Sequence, residues 1–473
     1  MSSGLHCGSA SPVPASSPGL ILAGLHGSSG KTAISCLLLA AWTARELRVQ
    51  SFKVGPDFID PAYHERFGSL PCRNIDLWLL GEKGLRAEVL RHAGATREIP
   101  RPSPDLCLVE GVLGLFDGAT STSEEGSTME LARWTGWPVV LCLPAAKAGR
   151  SLAVTVRGFL AEAHPERIAG VILNGVSGPS HADYLREALA PLGIPVLGAV
   201  PRHELLVWEE RHLGLQAAPE GRLPSRSDLS ALAEATLDLD ALRALACPLR
   251  STFGESLSLP PASPCAPRSA SKPLGRIAIA EDAAFHFYYA SNRDWLRSRG
   301  ADLLSFSPLH SPALPRGTEA LILGGGFPEL FAEQLAANRP LLEEVRSAID
   351  SGMPCYAECG GMIFLSEGIR LLNGSVLQMA GVVPGIMEMR PNLQHFGYCS
   401  AQDARLGTAH GHEFHHARWG AEPEAANAWN VTRRRTGVSR SEGFRIHRLH
   451  ASFVHLYFPA NESMMEALFH VHR

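Results

Sequence analysis

Short apolar runs alternate with longer, largely apolar segments in both halves of the chain. Residues 20–23 form an uninterrupted apolar run of strand length, and residues 33–44 are long enough for a buried helix. Further buried strands are predicted from the apolar runs at residues 106–109, 171–173, 320–323 and 451–458. This alternation is typical of an α/β fold. We predict two parallel, doubly wound sheets whose active loops lie at the carboxyl ends of the strands.

A glycine-rich loop with the sequence GLHGSSGKT follows the first predicted strand. It lies at the N-terminus of the predicted helix, where unpaired N–H groups favour phosphate. Gly30 lets the backbone approach phosphate oxygens, Lys31 adds a charge, and Thr32 supplies a hydroxyl for magnesium. The strict pattern has glycine five residues before Gly30, where this chain has Leu25. We interpret the segment as a variant phosphate loop that binds ATP. The alternative is a Gly-Ser turn that precedes a lysine.

Four acidic residues stand in loops bounded by glycine and proline. Asp57 and Asp60 lie in KVGPDFIDP, and Glu110 and Asp117 lie in EGVLGLFDG after the strand at 106–109. Acids at the carboxyl edge of a parallel sheet are expected to face the phosphate loop. Magnesium-ATP requires hard oxygen ligands beyond a hydroxyl, so these carboxylates are the candidates. A helix cap or a turn is the structural alternative for each of them.

A second glycine-rich loop and a cysteine at a predicted turn lie in the C-terminal half. The segment GGGFPE follows the strand at 320–323, and the amides of Gly325 and Gly326 are candidates to stabilise an oxyanion. Cys359 stands in PCYAECGG at a predicted strand-to-helix turn, where a nucleophile is presented to substrate. His455 follows it in chain order and is the candidate base. A buried structural histidine is the alternative.

Together the two motifs predict a glutamine-dependent amide synthase. Cys359 would attack glutamine, form a glutamyl thioester and release ammonia. A carboxylate must be activated before ammonia attacks it, and the simplest activated form is an acyl phosphate made with ATP and magnesium. An enclosed path for ammonia is implied. Two other classes remain open: a non-enzymatic ATP-dependent switch, which has no use for Cys359 and His455, and a ligase that consumes free ammonia.

Six collinear motifs resemble the cobyrinate a,c-diamide synthase family: GKT, KVGPDFIDP, EGVLGLFDG, GGGFPE, AECGG and ASFVHL. They span nearly the whole chain. The resemblance implies a dethiobiotin-synthetase-like P-loop ATP domain followed by a class I glutamine amidotransferase domain. It also implies amidation of the a- and c-acetate groups of cobyrinate, a small tetrapyrrole, with glutamine and ATP-Mg²⁺ in cobalamin biosynthesis. Hydrogenobyrinate and nickel-sirohydrochlorin carry the same acetates, so the sequence leaves the tetrapyrrole and its metal open.

The same resemblance suggests a magnesium site and the remaining acids of the synthetase centre. By position, magnesium is expected on Thr32, Asp57 and Glu110, and Asp60 and Asp117 match further essential acids.

Three other positions complete the comparison with this family. Lys53 is a further phosphate candidate, and Asn174 matches an asparagine that contacts adenine in related ATP folds; a turn residue at a strand end is its alternative. Glutaminases of this class commonly have glutamate two residues after the histidine, where this chain has Tyr457. We therefore predict a Cys-His dyad whose imidazole is oriented by another group.

A chain of 473 residues exceeds what one hydrophobic core usually serves, so we predict separate domains. The predicted divisions are a disordered tail at 1–19, an ATP-binding amide synthetase domain at 20–213, a partly helical linker at 214–272 and a glutamine amidotransferase domain at 273–473. The linker is recognised by its loss of periodicity and its gain of proline and serine.

Composition narrows the class of protein further. The net charge is −4 and the longest basic run is short, so nucleic acid is not an expected partner. A membrane is not expected either, since the chain has neither a run of 18 apolar residues nor a signal-peptide pattern at its start. Ten cysteines without paired spacing are typical of reduced thiols in the cytoplasm. A homodimer is left open.

A histidine-rich segment, HGHEFHH at residues 410–416, also calls for an interpretation. It lacks the helical spacing of metalloprotease histidines, so we interpret it as a loop that contacts substrate or the other domain. Metal binding and a purely structural role are the alternatives.

Overall fold

The computed structural model describes residues 16–94, 102–164, 168–208, 210–211, 214–215, 223–253, 273–420 and 428–470. Most of the tail predicted as disordered (1–15) and much of the predicted linker (216–222 and 254–272) therefore lie outside the described residues. Within these ranges, no helix is long and apolar enough to cross a membrane.

The strands of the described residues are β1 (Gly19–Gly24), β2 (Val49–Val54), β3 (Arg73–Ile75), β4 (Leu106–Glu110), β5 (Val139–Pro144), β6 (Ile168–Val176), β7 (Val196–Pro201), β8 (Glu210–Arg211), β9 (Gly214–Leu215), β10 (Gly275–Ala280), β11 (Ala301–Phe306), β12 (Ala320–Leu323), β13 (Cys355–Glu358), β14 (Ser366–Arg370), β15 (Val376–Gln378), β16 (Val383–Met389), β17 (His395–Asp403), β18 (Gly407–His415), β19 (Ala417–Trp419), β20 (Trp429–Arg433), β21 (Ser439–Glu442), β22 (Phe444–Ile446), β23 (Leu449–Ser452) and β24 (His455–Leu456).

The α-helices are α1 (Lys31–Ala44), α2 (Ile59–Phe67), α3 (Leu77–His92), α4 (Thr128–Thr135), α5 (Ser151–Ala163), α6 (Pro179–Leu189), α7 (Arg226–Thr236), α8 (Leu239–Leu245), α9 (Ala290–Ser298), α10 (Ala332–Ala337), α11 (Arg339–Asp350), α12 (Gly360–Leu365) and α13 (Glu462–His470).

The N-terminal half is built on a parallel sheet with the strand order β3-β2-β4-β1-β5-β6-β7. Every residue of β1 is buried because helices cover both faces: Ile21 packs in one core cluster, and Leu20 and Leu22 pack in the other. Strands β2, β4 and β1 are neighbours. Their carboxyl ends therefore bring the phosphate loop and the loops of the four acidic residues to one edge of the sheet.

Helices α7 and α8 form the helical part of the predicted linker. Their apolar residues Leu229, Ala233 and Leu242 are fully buried in the core cluster that contains α1. A capping box of Ser225 and Asp228 begins α7. Their spacing of four residues puts Leu229 and Ala233 on one helix face, and that face packs against α1. This helical segment therefore packs with the N-terminal half.

The C-terminal half contains a second sheet with the order β11-β10-β12-β13-β23-β22. Its strands pair in parallel except for β22, which is antiparallel to β23. Strands β12, β13 and β23 are neighbours, so the glycine loop, Cys359 and the segment that leads to His455 follow adjacent strand ends. The predicted doubly wound sheets are thus present in both halves.

The C-terminal half also has sheets that the apolar pattern did not predict. One has the order β21-β20-β17-β18-β24 and is antiparallel; another has the order β15-β14-β16-β19. The histidine-rich segment lies almost entirely in β18, so its interpretation as a loop was wrong. Buried positions of β18 are occupied by residues such as Ala409 and Gly411, which are too small to produce a visible hydrophobic alternation.

Candidate active site

The phosphate loop ends at the first residue of α1. Gly30 has φ +83°, and a Cβ there would lie 2.0 Å from the Asn174 side-chain nitrogen. Lys31 is buried, and its ammonium donates a 2.6 Å hydrogen bond to the Leu113 carbonyl. Burial and the nearby Lys53 charge lower the pKa of Lys31. The loop thus requires glycine at position 30. The next residue, Lys31, begins α1, and its ammonium is buried against the Leu113 carbonyl.

Glu110 is fully buried at the end of β4 and connects three elements. Its Oε1 accepts from the Thr32 hydroxyl at 2.8 Å and from the Lys53 ammonium at 2.9 Å. Its Oε2 lies 2.7 Å from Nε2 of His64. Burial opposes the ionised carboxylate, but Lys53 and His64 hold the pKa of Glu110 well below its usual range. Glu110 is therefore a buried anion with partners from α1, β2 and α2.

His64 is a partner that the sequence patterns did not identify. It is fully buried, and its Nδ1 lies 3.4 Å from the Cys72 sulfur. Burial opposes the charge of His64, whereas its contacts with Cys72 and Glu110 raise the pKa of His64 to about 10. The only sequence signal was its position in α2 four residues, or one turn, after Asp60, which faces the same cluster.

Asp60 and Asp57 approach the same lysine. The Asp60 carboxylate lies 2.6 Å from Nζ of Lys53, and that of Asp57 lies 4.0 Å from it. Burial and the Asp57 charge raise the pKa of Asp60 to about 7. Asp57 also accepts through Oδ1 from the amides of Ile59 at 2.8 Å and Asp60 at 3.1 Å. The capping role weighed for Asp57 is therefore present, and its other oxygen is the one nearer Lys53.

Asp117 and Asn174 lie beside this cluster. Asp117 accepts from the Gly114 amide at 2.7 Å and so fixes the turn that presents the Leu113 carbonyl. Asn174, in β6, donates to the Ser29 carbonyl of the phosphate loop at 3.2 Å. The structure brings both residues to the ATP loop, and their contacts with magnesium and adenine stay predictions.

Cys359 joins β13 to α12 at the predicted strand-to-helix turn. It has φ +47° and ψ −102°, a conformation that costs a non-glycine residue on the order of 1–3 kcal/mol. A Cβ at Gly361 would lie 2.2 Å from the Leu323 carbonyl oxygen. The glycines after the cysteine therefore let α12 start directly against β12.

The glycine loop after β12 lies beside His455 and the start of α12. A Cβ at Gly325 would lie 2.7 Å from Cε1 of His455. The Gly326 nitrogen lies 3.3 Å from the position that a Cβ on Gly360 would take. Both glycines thus lie close to His455 or to the residue after Cys359, and the oxyanion role of their amides stays a prediction.

Glu358 orients His455. Its Oε2 lies 3.2 Å from the His455 Nδ1, and its Oε1 accepts from the Leu456 amide at 3.0 Å and the Tyr356 hydroxyl at 2.6 Å. Burial opposes the imidazolium, but hydrogen bonds with Cys359 and Glu358 raise the pKa of His455 to about 10. The predicted dyad is therefore a Cys-His-Glu arrangement.

The position of this acid explains why the sequence did not reveal it. Glu358 directly precedes the nucleophile, whereas the usual glutamate follows the histidine. Tyr457, at the usual position, is buried and lies against Tyr289, with ring centroids 5.4 Å apart. Its side chain packs in the core cluster of the N-terminal half, against Tyr289 rather than against the His455 imidazole. An acid next to Cys359 was the available signal.

The histidine-rich strand β18 lies between the halves. His412 stacks on His455 with ring centroids 5.0 Å apart, and its Nε2 lies 2.8 Å from the Tyr289 hydroxyl. Burial and the His455 charge lower the pKa of His412 well below its usual range. His410 stacks on Trp78 of α3 at 4.1 Å. The expected contact with the other domain is therefore observed for this segment. Across the described parts of the chain, no cluster of three or more His, Cys, Asp or Glu side chains is arranged to hold a metal.

Two family models match the chain. Residues 20–215 match the CobQ/CobB/MinD/ParA nucleotide binding domain, and residues 276–463 match the CobB/CobQ-like glutamine amidotransferase domain.

Curated relatives match over almost the full length. The cobyrinate a,c-diamide synthase of Syntrophotalea carbinolica is 40% identical over 468 residues, which are 96% of this chain and 98% of that protein. The enzyme of the same name from Dehalococcoides mccartyi is 37% identical and covers 94% of this chain and 96% of its own. A crystal structure of a glutamine amidotransferase aligns with 41% of this chain and 96% of its own, with 18% identity and a TM-score of 0.31.

Proposed function

Since the chain belongs to the cobyrinate a,c-diamide synthase family, we propose that its own substrate is cobyrinate and that the two clusters described above are its two reaction centres. The protein is a glutamine-dependent, amide-forming ligase with an ATP-binding half and a glutamine amidotransferase half. We propose that it amidates the a- and c-acetate carboxylates through acyl phosphate intermediates.

The observation that carries this proposal is the presence of two complementary sets of side chains. One set is a buried array of anions and cations around Glu110 at the phosphate loop, suited to the charge of a transferring phosphoryl group. The other is Cys359 with an imidazole held by Glu358. Ammonia released at the second set serves as the nucleophile at the first.

Proton transfer in the glutaminase follows from the same geometry. With its raised pKa, His455 takes the proton of the Cys359 thiol and holds it as imidazolium while the thiolate attacks the glutamine amide carbonyl. The Gly325 and Gly326 amides are proposed to bind the oxyanion, and His455 then gives its proton to the departing ammonia. Water afterwards hydrolyses the glutamyl thioester.

The residues of the synthetase cluster fit a magnesium ion. The Thr32 hydroxyl and a Glu110 carboxylate oxygen lie 2.8 Å apart, so two hard oxygen donors meet there, and Asp57 lies 4.0 Å from the Lys53 ammonium that also contacts Glu110. We propose Thr32, Asp57 and Glu110 as its ligands, with Lys31 and Lys53 as phosphate contacts and Asn174 as an adenine contact. When bound, the ion neutralises phosphate charge. Chelation by EDTA is expected to abolish amidation, and excess Mg²⁺ to restore it.

We propose the cytoplasm as the site of the reaction, supported by the unpaired spacing of the cysteines. We also propose that the protein forms a homodimer. Sedimentation velocity, which measures the mass of the particle in solution, would test this.

Mass spectrometry of parallel reactions tests the substrate. The purified protein is incubated with ATP, Mg²⁺ and glutamine together with cobyrinate, hydrogenobyrinate or nickel-sirohydrochlorin. We expect two amidations of cobyrinate, with about one glutamate released per amide formed. If only one of the other tetrapyrroles is amidated, that tetrapyrrole is the substrate instead of cobyrinate, and the proposed amidation reaction still holds. If none is amidated with either glutamine or ammonium, the proposal is wrong.

A further inference from the structure

The ring of Phe58 lies between the synthetase acids and the glutaminase base. Its centroid is 5.1 Å from that of His455 and 5.7 Å from that of His412. It stacks on Tyr289 at 4.4 Å and on Phe287 at 5.0 Å, with interplanar angles of 29° and 7°. These distances are those of directly packed aromatic pairs. One side chain of the N-terminal half thus contacts the base of the other half and three rings around it.

The backbone of Phe58 is fixed to the synthetase acids. Phe58 directly follows Asp57, and Asp57 accepts hydrogen bonds from the amides of Ile59 and Asp60. Asp60 in turn lies 2.6 Å from the Lys53 ammonium. A displacement of either acid therefore moves the Cα of Phe58, because they belong to the same tight turn at the start of α2.

On the glutaminase side, the rings that contact Phe58 also hold the base. His412 stacks on His455, and its Nε2 lies 2.8 Å from the Tyr289 hydroxyl. The Phe287 amide donates to the Gly325 carbonyl at 3.1 Å, so this ring is fixed to the proposed oxyanion loop. The Phe58 ring therefore contacts groups that set the position of both His455 and Gly325.

A cavity runs beside this ring. Phe58, Phe287, Tyr289 and Glu358 line it, so one small cavity borders both the Phe58 ring and the acid that contacts His455. A smaller side chain at position 58 would therefore enlarge the space beside that acid.

We propose that Phe58 is a positioning residue that couples the two reactions: its backbone follows the synthetase acids, and its ring supports the active arrangement of His455 when the synthetase site is occupied. The inference rests on the proposed function. It predicts that glutamine hydrolysis depends on the occupancy of the synthetase site through Phe58.

The test is the ratio of glutamate released to amide formed in Phe58→Ala, compared with the wild-type protein, on the tetrapyrrole that the wild type amidates. We expect the ratio to rise about 5-fold or more, the usual lower range of coupling between sites. Amidation with high ammonium, which bypasses the glutaminase, should stay within about twofold of wild type. Phe58→Leu, which keeps apolar bulk, should give an intermediate ratio, and Phe58→Tyr should restore coupling.

Controls separate this role from general damage. Phe396→Ala removes a 60% exposed phenylalanine of β17 and should leave the ratio unchanged. A second test variant, Tyr289→Phe, deletes only the hydroxyl next to His412 in the glutaminase half. It should also raise the ratio of glutamate released to amide formed.

Two outcomes would overturn the inference. One is a wild-type ratio in Phe58→Ala and Phe58→Leu with normal stimulation of glutamine hydrolysis by ATP and tetrapyrrole. The other is equal loss of ammonia- and glutamine-dependent amidation in both variants, which would assign Phe58 to the synthetase site alone. If the wild-type protein amidates no tetrapyrrole even with ammonium, the proposed function itself fails, and the inference fails with it.

Discussion

The two proposed reaction centres hold a buried charge in different ways. Around Glu110, the partners come from α1, β2 and α2, and each is far away in the sequence. Around Cys359, the acid is its immediate neighbour, and a strained turn presents the thiol. The first centre thus depends on charge balance across elements, and the second on the local geometry of one strand end. Substitutions should therefore separate the two activities.

Lys31→Ala is expected to have the largest effect. Because its ammonium acts on the charge of the transferring phosphoryl group, amidation should fall by about 10³-fold with either glutamine or ammonium as the nitrogen source. The measurement is amide formation by mass spectrometry, with folding checked by circular dichroism. Lys83→Ala, at an exposed lysine of α3, is the control. Retained ammonium-dependent activity in Lys31→Ala would refute the phosphate-loop assignment.

Glu110→Gln should reduce amidation by about 10²-fold or more, because the neutral amide leaves Lys53 and His64 without their shared anion and removes a proposed magnesium ligand. Basal glutamine hydrolysis should persist. Asp57→Asn should show the same division with a smaller loss. Equal loss of amidation and glutamine hydrolysis in a folded protein would show that these acids are structural. The control is Glu343→Gln on the exposed side of α11, which should leave both activities unchanged.

Glu358→Gln tests the local arrangement. It should lower glutamine-dependent amidation by about 10²-fold, since the imidazole loses its orienting anion, and leave ammonium-dependent amidation intact. Because Glu358 helps to raise the pKa of His455 to about 10, the imidazolium is fully present at neutral pH and is lost as pH rises through that value. Without the carboxylate, the alkaline limb of kcat/KM for glutamine should move to lower pH. Glu367→Gln is the control at an exposed acid. An unchanged pH profile would contradict the orienting role.

Tyr457→Phe should have the smallest effect, within about twofold on glutamine hydrolysis, because this side chain packs at the contact between the halves and does not orient the imidazole. The hydrolysis rate of the isolated variant checks this. A loss comparable to that of Glu358→Gln would return the orienting role to the position two residues after His455.

Much of the fold was predictable because buried parallel strands are continuous apolar runs. The runs that became β1, β4 and β12 were recognised with their loops, and so were Lys31, Glu110 and Cys359. The antiparallel strand β18 was missed because Ala409 and Gly411 fill its buried positions. Contacts between distant segments leave no sequence spacing to detect. For that reason the His64 contact with Glu110 and the Phe58 contact with His455 emerged only from the folded structure.

Glu358 illustrates a different kind of miss. The family pattern predicts the orienting acid at residue 457, whereas Glu358 stands in the AECGG motif directly before Cys359. Tyr356 and Glu358 are two residues apart in β13, so they share a face, and both lie toward the segment that carries His455. Strand periodicity places Glu358 on the same face as Tyr356, but its contact with His455, 97 residues away, is visible only in the folded structure.

Amidation by Cys359→Ala with each nitrogen source tests most directly whether the two centres have separate roles. We predict no detectable glutamine-dependent product and near-wild-type product with high ammonium at mildly alkaline pH, since the proposed synthetase centre is untouched. Cys355→Ala, at a buried cysteine of the same strand, should keep glutamine-dependent activity. Loss of ammonium-dependent amidation in folded Cys359→Ala would contradict the division between two centres.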